Sequence, residues 1–288
     1  MKIYVAEEFG AQNSKPVFRA FIDGLHANNV FVVSDYTSAD VICIWSFLFS
    51  GRMAGNRLLY DYAKDKGIPL IVLEVGAIER GKTWKVGING INNTATWCKP
   101  YDKDRPERLN IEMLPWVDTT APQRNLITIL TQRPDSQQWI GKPHIEDYVR
   151  DCIQQVRDSN LEYDGICVRP HPRDHHTDFA FLNSLGDDIY YDCPNPLADT
   201  YDSFDHDKMF KRSKLIFNYS SGPSVQAALA GIPVICSEES LAWEVSVQDI
   251  NNITYPDRTD WLLDLAHTEW TVEEMKSGSV WKNLANSL

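Results

Sequence analysis

Leu215-Ile216-Phe217-Asn218-Tyr219-Ser220-Ser221-Gly222-Pro223-Ser224-Val225-Gln226-Ala227-Ala228-Leu229-Ala230-Gly231-Ile232-Pro233-Val234-Ile235 carries the punctuation of a strand, a turn, a helix and a second strand. The apolar run 215–219 has the composition of a strand buried on both faces of a parallel sheet. Small residues then open a helix over 225–230; Pro223 suits a first helical turn and Gly231 ends the helix. Residues 233–237 form the next strand. A small-residue turn at a helix start lets backbone N–H groups approach an anion closely, and the helix dipole favours negative charge there. Gly222 permits that approach, and Ser220, Ser221 and Ser224 add hydroxyl donors.

Working outward, the same half of the chain repeats the alternation. Residues 126–131 are an apolar strand ending in Gln132-Arg133-Pro134. Ile145, Tyr148, Val149, Cys152, Ile153 and Val156 form a helical stripe. Residues 165–168 are a strand running into Arg169-Pro170-His171-Pro172-Arg173, residues 188–191 a short strand, and residues 208–214 the end of a helix. Two prolines stiffen the 169–173 loop, so Arg169, His171 and Arg173 are expected as a prepared site for a diphosphate or carboxylate. Arg133 stands at a comparable strand end. Glu238 and Glu239 follow the strand after the anion-binding helix, where a carboxylate can accept ribose hydroxyls.

The first half reads as a second βαβ series. Residues 2–6 form a strand ending in Glu7-Glu8. Ser14 is expected to cap a helix with apolar positions Val17, Phe18, Phe21, Ile22 and Leu25. Strands follow over 30–34 and 39–46, then a helix marked by Leu58, Leu59, Tyr62 and Ala63 that stops at Gly67, then the apolar strand 68–74. Residues 77–122 read as a long irregular excursion bearing Trp84, Trp97, Tyr101 and Trp116, with a linker over 116–125. The expected architecture is α/β, with two Rossmann-like domains, 1–122 and 123–288, facing each other across a cleft.

Composition narrows the function class. With 43% apolar and 24% charged residues the chain reads as soluble and globular. Its longest apolar runs fall far short of the roughly 20 residues that span a bilayer, and the strand-like start does not read as a signal peptide. Cys43, Cys98, Cys152, Cys167, Cys193 and Cys236 show no metal-binding spacing, which suits a reduced cytoplasmic compartment. The net charge of −12 lies wholly in residues 123–288, because residues 1–122 hold 14 basic and 14 acidic groups. Within that neutral half, residues 79–108 carry seven basic groups (Arg80, Lys82, Lys85, Lys99, Lys103, Arg105, Arg108) against four acidic ones, a candidate surface for a polyanion such as DNA.

Taken together, the histidine–proline loop, the Ser-Ser-Gly turn, the Gly-x-Pro before a strand and the acidic turn resemble the donor-binding half of GT-B glycosyltransferases. They are similar in particular to the bacterial capsule and Kdo-type transferases. The resemblance covers residues 126–245 and departs at Gln226, where that family commonly carries Glu. It implies a nucleotide-sugar donor as co-substrate, held through Arg133, Arg169, His171, Arg173, Ser220, Ser221, Gly222, Ser224, Glu238 and Glu239. It also implies an acceptor bound on the first domain, near Ser46, Arg52 and Asn56, with Glu7 or Glu8 as general base. No metal motif is placed as in metal-dependent transferases, so Arg and His are expected to stabilise the leaving phosphate, with no metal and no further cofactor.

The closing Trp270-Thr271-Val272-Glu273-Glu274-Met275 and Trp281 resemble tailed-phage proteins. Phages make compact glycosyltransferases that decorate hydroxymethylated pyrimidines of their own DNA. That resemblance implies a DNA acceptor, and the host cytoplasm as the location. The alternatives are a surface or capsule polysaccharide or lipid-linked glycan acceptor, a sugar-nucleotide epimerase, and a nucleotide-binding or interaction module without chemistry.

Overall fold

Short apolar runs flanked by Gly, Pro and Ser become parallel strands, and amphipathic stripes between them become the covering helices. The computed structural model describes residues 1–200 and 203–288. Along the chain the elements are β1 (Lys2–Val5), α1 (Lys15–Ala27), β2 (Phe31–Val33), β3 (Val41–Trp45), α2 (Asn56–Lys66), β4 (Leu70–Val75), β5 (Thr83–Ile88) and α3 (Arg105–Arg108). There follow β6 (Leu126–Leu130), α4 (Ile145–Arg157), β7 (Gly165–Arg169), β8 (Ile189–Tyr191), α5 (Asp207–Arg212), β9 (Ser213–Asn218), α6 (Gly222–Leu229) and β10 (Val234–Ile235). The chain closes with α7 (Thr259–Ala266), β11 (Glu269–Thr271), α8 (Val272–Lys276) and α9 (Ser279–Leu284). No helix among the described residues is long and apolar enough to cross a membrane.

The chain forms two units. Unit 1 comprises Met1–Asn110, Ser136–Gln138 and Leu262–Leu288; unit 2 comprises Ile111–Asp135 and Trp139–Trp261. This membership differs from a single cut at 122/123, because the last segment returns to the first sheet. Unit 1 holds a six-stranded sheet in the order β11-β5-β4-β3-β1-β2. Strands β1 to β4 are parallel, while β5 and β11 add an antiparallel edge. Alternate residues feed two cores, as the twofold period of a strand requires. Ile3, Val5, Val41, Cys43 and Trp45 pack with Phe18 and Phe21 of α1, and Tyr4, Ile42 and Ile44 pack with Leu59 and Ala63 of α2.

Unit 2 holds a five-stranded sheet, β10-β9-β6-β7-β8, in which every neighbouring pair is parallel. Its core joins Ile127 and Ile129 of β6, Ile166 and Val168 of β7, and Leu215 and Phe217 of β9 with Val149, Ile153 and Val156 of α4. Both halves are thus Rossmann-like α/β units.

Ser14 does not cap α1 through its side chain; its hydroxyl donates to Ala11 O instead. Residues 77–122 are not irregular throughout, since β5 is fully buried and pairs with both β4 and β11. The expected linker is packed rather than open: Trp116 lies under the Arg258 guanidinium, 3.9 Å from ring centroid to Cζ, and donates its indole N–H to Pro256 O at 2.9 Å.

The basic stretch 79–108 does not make one continuous face. Lys85 and Arg105 are buried, Lys82 pairs with Glu79, and Arg108 pairs with Asp102. Lys85 donates to Ile91 O at 3.2 Å. Its ammonium is pushed below the ordinary lysine range by burial, which nearby Glu269 opposes. Lys99 and Lys103 are exposed.

A buried histidine ties the end of α7 to the loop before α3. His267 Nε2 accepts from Tyr101 N at 3.3 Å, so the neutral ring carries its proton on Nδ1, which lies 2.8 Å from Leu263 O. Burial pushes its pKa below the ordinary value. Below about pH 6.5 the unfolded chain takes up a proton that folded His267 resists, so this site loses stability as pH falls from there toward its lowered folded value. His267→Gln can keep both hydrogen bonds without titrating. Its thermal midpoint is expected to fall less than wild type between pH 6.5 and 5; equal slopes would contradict this account.

Candidate functional site

Because all five strands of unit 2 run the same way, their carboxyl ends share one sheet edge, the place where open α/β sheets bind ligands. The loops after β6, β7, β9 and β10 meet there, and hydrogen bonds join them. Gln132, just beyond β6, accepts through Oε1 from Ser220 N at 2.8 Å and Ser220 Oγ at 3.2 Å. Thr131 Oγ1 accepts from His171 N at 3.2 Å, joining the β6 and β7 loops. Asn218, the last residue of β9, accepts from Ser221 N at 2.9 Å and donates to Ser221 Oγ at 2.7 Å.

The turn residues divide into builders and presenters. Ser224 is fully buried; its hydroxyl donates to Ser221 O at 2.8 Å and lies 2.9 Å from Ser240 Oγ. Ser220 is buried against Gln132. Their hydroxyls shape the turn instead of reaching outward, which differs from the sequence expectation. Ser221 and Gly222 are half-buried at the start of α6, with Ser221 in the extended N-cap conformation and no side-chain cap bond. Gly222 N–H has no acceptor within the helix, and Pro223 has no N–H to satisfy. An anion is the complement of such a terminus.

Arg169 also departs from expectation. It is 3% exposed, and its guanidinium is committed inward. It pairs with Asp192, with Asp205 Oδ1 at 2.5 Å and with Asp205 O at 3.0 Å. Burial alone would raise the Asp205 carboxyl, yet the Asn195 backbone N–H and the Arg169 guanidinium outweigh it and hold the group at about 2. Freeing Arg169 for a ligand would leave two partly exposed carboxylates without their cation.

The other cations are released more easily. Arg133 pairs with Asp135 through Nε at 2.8 Å and Nη2 at 2.5 Å. Those bonds hold the Asp135 carboxyl below its usual range. Lys142, which the sequence reading passed over, pairs with Glu239 and sits 5.1 Å from the Tyr219 ring centroid. The bond to Glu239 raises the Lys142 ammonium above its ordinary value. Near-surface pairs of this kind are worth roughly 1 kcal/mol or less, so a phosphate can compete for these cations. Lys142 stands in Gly141-Lys142-Pro143, where Gly141 has φ +76°, a turn signal that marks a shaped loop before α4.

His171 is half-buried, and its Nδ1 accepts from Arg173 N at 3.1 Å. The neutral ring therefore carries its proton on Nε2. Arg173 and Glu238 are exposed on the same loop edge. His175 and His176 are exposed too, and among the described residues no group of three His, Cys, Asp or Glu side chains is placed to hold a metal ion.

Unit 1 gathers its candidates at the carboxyl ends of β1 and β3. Glu7 and Glu8 are exposed on a short helical turn after β1, and the Tyr4 hydroxyl donates to Glu8. Burial, and then Glu8, push the Tyr4 phenol well above its ordinary pKa. Ser46 follows β3 with φ +62°, a left-handed conformation that costs a non-glycine residue of order 1–3 kcal/mol and clusters at functional sites. Its Oγ accepts from Leu48 N at 3.2 Å. Asn56 is 0% exposed and donates to Trp45 O at 2.6 Å and Phe9 O at 3.2 Å, so it ties the two loops together instead of facing a ligand. Arg52 is exposed on the turn Gly51–Met53.

No protein-family model matches the chain, and no curated protein matches its sequence. Solved structures do. The β-Kdo 2,4 transferase of KpsC from Thermosulfurimonas dismutans is similar with a TM-score of 0.55 at 15% identity, covering 94% of this chain and 92% of that one. The β-Kdo 2,7 transferase of the same KpsC gives 0.53 at 13% identity, covering 98% and 99%. At such identities the likeness is one of fold: two Rossmann-like units of the kind found in GT-B glycosyltransferases.

Proposed function

We propose that the chain is a glycosyltransferase that takes a sugar from a nucleotide-sugar donor and passes it to a hydroxyl of a glycan. The observation that carries this reading is the single edge of unit 2. There the Ser221–Gly222 helix start, the His171 loop and the Lys142–Glu239 pair lie at the carboxyl ends of one all-parallel sheet. In this reading the α6 N-terminus and His171 Nε2–H meet the donor phosphates, where negative charge grows as the sugar leaves. Arg133, Lys142 and Arg173 supply exchangeable positive charge. Glu238 and Glu239 accept from ribose or base. Arg169 and Ser224 act as positioning residues that hold the loops in place. In unit 1, Glu8, oriented by the Tyr4 hydroxyl, or its neighbour Glu7 takes the proton of the acceptor hydroxyl.

The similar solved structures are Kdo transferases, which supports a glycan acceptor over DNA. Of the grounds for a DNA acceptor, the basic stretch 79–108 is weakened, because its Lys85 and Arg105 are buried and its Lys82 and Arg108 are paired. The test is a transfer assay with a panel of nucleotide sugars, offering capsule-type oligosaccharides and hydroxymethylated DNA as acceptors. Nucleotide release coupled to glycan extension is expected. A product on DNA with none on glycan would overturn the choice of acceptor, and no transfer to either would overturn the enzyme reading.

A further inference from the structure

A cavity of about 520 Å³ opens on unit 2, lined by residues of the segment 177–189 and by Tyr191 at the end of β8. No residue of the proposed donor site lines it, and its volume falls in the range of small-ligand sites. One wall is aromatic. The Phe179 and Tyr191 rings lie 5.5 Å apart between centroids, and Phe181 packs against Phe179 at 6.1 Å. Tyr191 is 53% exposed, although β8 is an edge strand of an otherwise well-covered sheet.

The remaining wall carries hydrogen-bonding groups: the carboxylates of Asp178 and Asp187, the Asn183 amide and the Thr177 hydroxyl. Among the described residues no Lys, Arg or His lines the cavity. Its rim is tied down within the protein. Asp174 accepts from His176 N at 2.9 Å and Thr177 N at 3.1 Å, and Asp178 accepts from Ala180 N at 2.9 Å. A ligand therefore orders little on binding, which lowers the entropic penalty.

An aromatic face beside several acceptors is the complement of a sugar ring. Its C–H face rests on the π face, and its hydroxyls donate to carboxylate and amide oxygens. A purely apolar ligand would desolvate two carboxylates with nothing in return. An anionic sugar would meet like charge and no cation. A simple ammonium ion would use the carboxylates but leave the Asn183 amide and Thr177 hydroxyl unanswered. We propose that this cavity is a binding subsite for an uncharged sugar residue of a glycan, lined by residues distinct from those that would hold a nucleotide. The inference stands on the cavity alone and does not depend on the donor assignment.

The test is calorimetric titration of the full chain with maltotriose, cellotriose and chitotriose, beside trigalacturonate and spermidine as charged comparators. At least one neutral trisaccharide is expected to bind, at least tenfold more tightly than either comparator. Tyr191→Ala and Asp187→Ala, both at exposed positions, are each expected to weaken that binding at least tenfold without lowering the thermal midpoint appreciably. Ser221→Asp, at the proposed phosphate site, is expected to leave it unchanged. The proposal is overturned if none of the three neutral sugars binds, if a comparator binds as tightly, or if binding survives Tyr191→Ala and Asp187→Ala. Loss of binding in Ser221→Asp would overturn it as well, by moving the sugar to the donor edge.

Discussion

His171→Ala is expected to lower turnover about 10²- to 10³-fold, the usual effect of removing one donor from a site that stabilises growing negative charge. The loop itself should survive, because His171 is held through its backbone N–H to Thr131 and between two prolines. His171→Gln, which can still donate from its amide, is expected to retain more activity than alanine. Wild-type turnover in His171→Ala would remove His171 from the chemistry. Arg169→Ala is expected to behave differently although it stands two residues away. It strips the shared cation from Asp192 and Asp205, at about 3 kcal/mol or more of stability for a pair with one fully buried member. Since Asp205 is held at about 2, against an ordinary value near 4, this contribution is full above about pH 4 and is lost as pH falls toward 2. The acid limb of the wild-type stability curve should therefore flatten in Arg169→Ala.

The second large effect lies in unit 1. Arg105 is 0% exposed. It donates to Ala266 O and Glu269 O at 2.7 Å each, pairs with Glu274, and lies 4.1 Å from the Trp270 ring centroid. Burial would raise the Glu274 carboxyl, but Arg105 and the Thr271 backbone N–H outweigh it and hold it low. Glu274 also closes the capping box that starts α8. One guanidinium thus fastens β11 and α8 to the body of unit 1. Arg105→Ala is expected to cost about 3–5 kcal/mol and to expose residues 266–288 to hydrogen exchange before the rest of the unit. Arg105→Lys keeps the charge but not the forked geometry, so it should rescue only part of the loss. A thermal midpoint and exchange pattern like wild type in Arg105→Ala would contradict this account of how the chain closes.

What was legible in the sequence, and what was not, follows from the range of each interaction. Strand β9, the turn and helix α6 announce themselves because a doubly buried strand needs a continuous apolar run and a tight βα turn needs small residues. Both requirements are local. Strand β5 was hidden because Thr-Trp-Lys-Val-Gly-Ile contains a lysine and a glycine. The fold accommodates Lys85 by burying its stem and giving its ammonium the Ile91 carbonyl. Strand β11 is three residues long, and it pairs with β5 residues 184 to 188 positions earlier in the chain.

The candidate site is legible by loop but not by atom. The loops after β6, β7, β9 and β10 meet as their positions in a parallel sheet demand. Whether an arginine faces a ligand or the interior depends on partners far along the chain. For Arg169 these are Asp192 and Asp205, 23 and 36 residues on, in segments with no pattern of their own. Asn56 and Ser224 illustrate the same point, since buried polar groups that bond to backbone look like surface polar groups in a sequence.

The most direct test of the central claim is calorimetric titration of the full chain with nucleoside mono- and diphosphates, comparing wild type with Ser221→Asp. Aspartate is a good N-cap, so α6 should keep its stability, while the added carboxylate occupies the place proposed for phosphate. Saturable binding of one nucleotide by wild type is expected, weakened at least a hundredfold by Ser221→Asp with no drop in the thermal midpoint. Binding that Ser221→Asp leaves intact, or no binding of any nucleotide by well-folded protein, would contradict the assignment of this edge to a nucleotide-sugar donor.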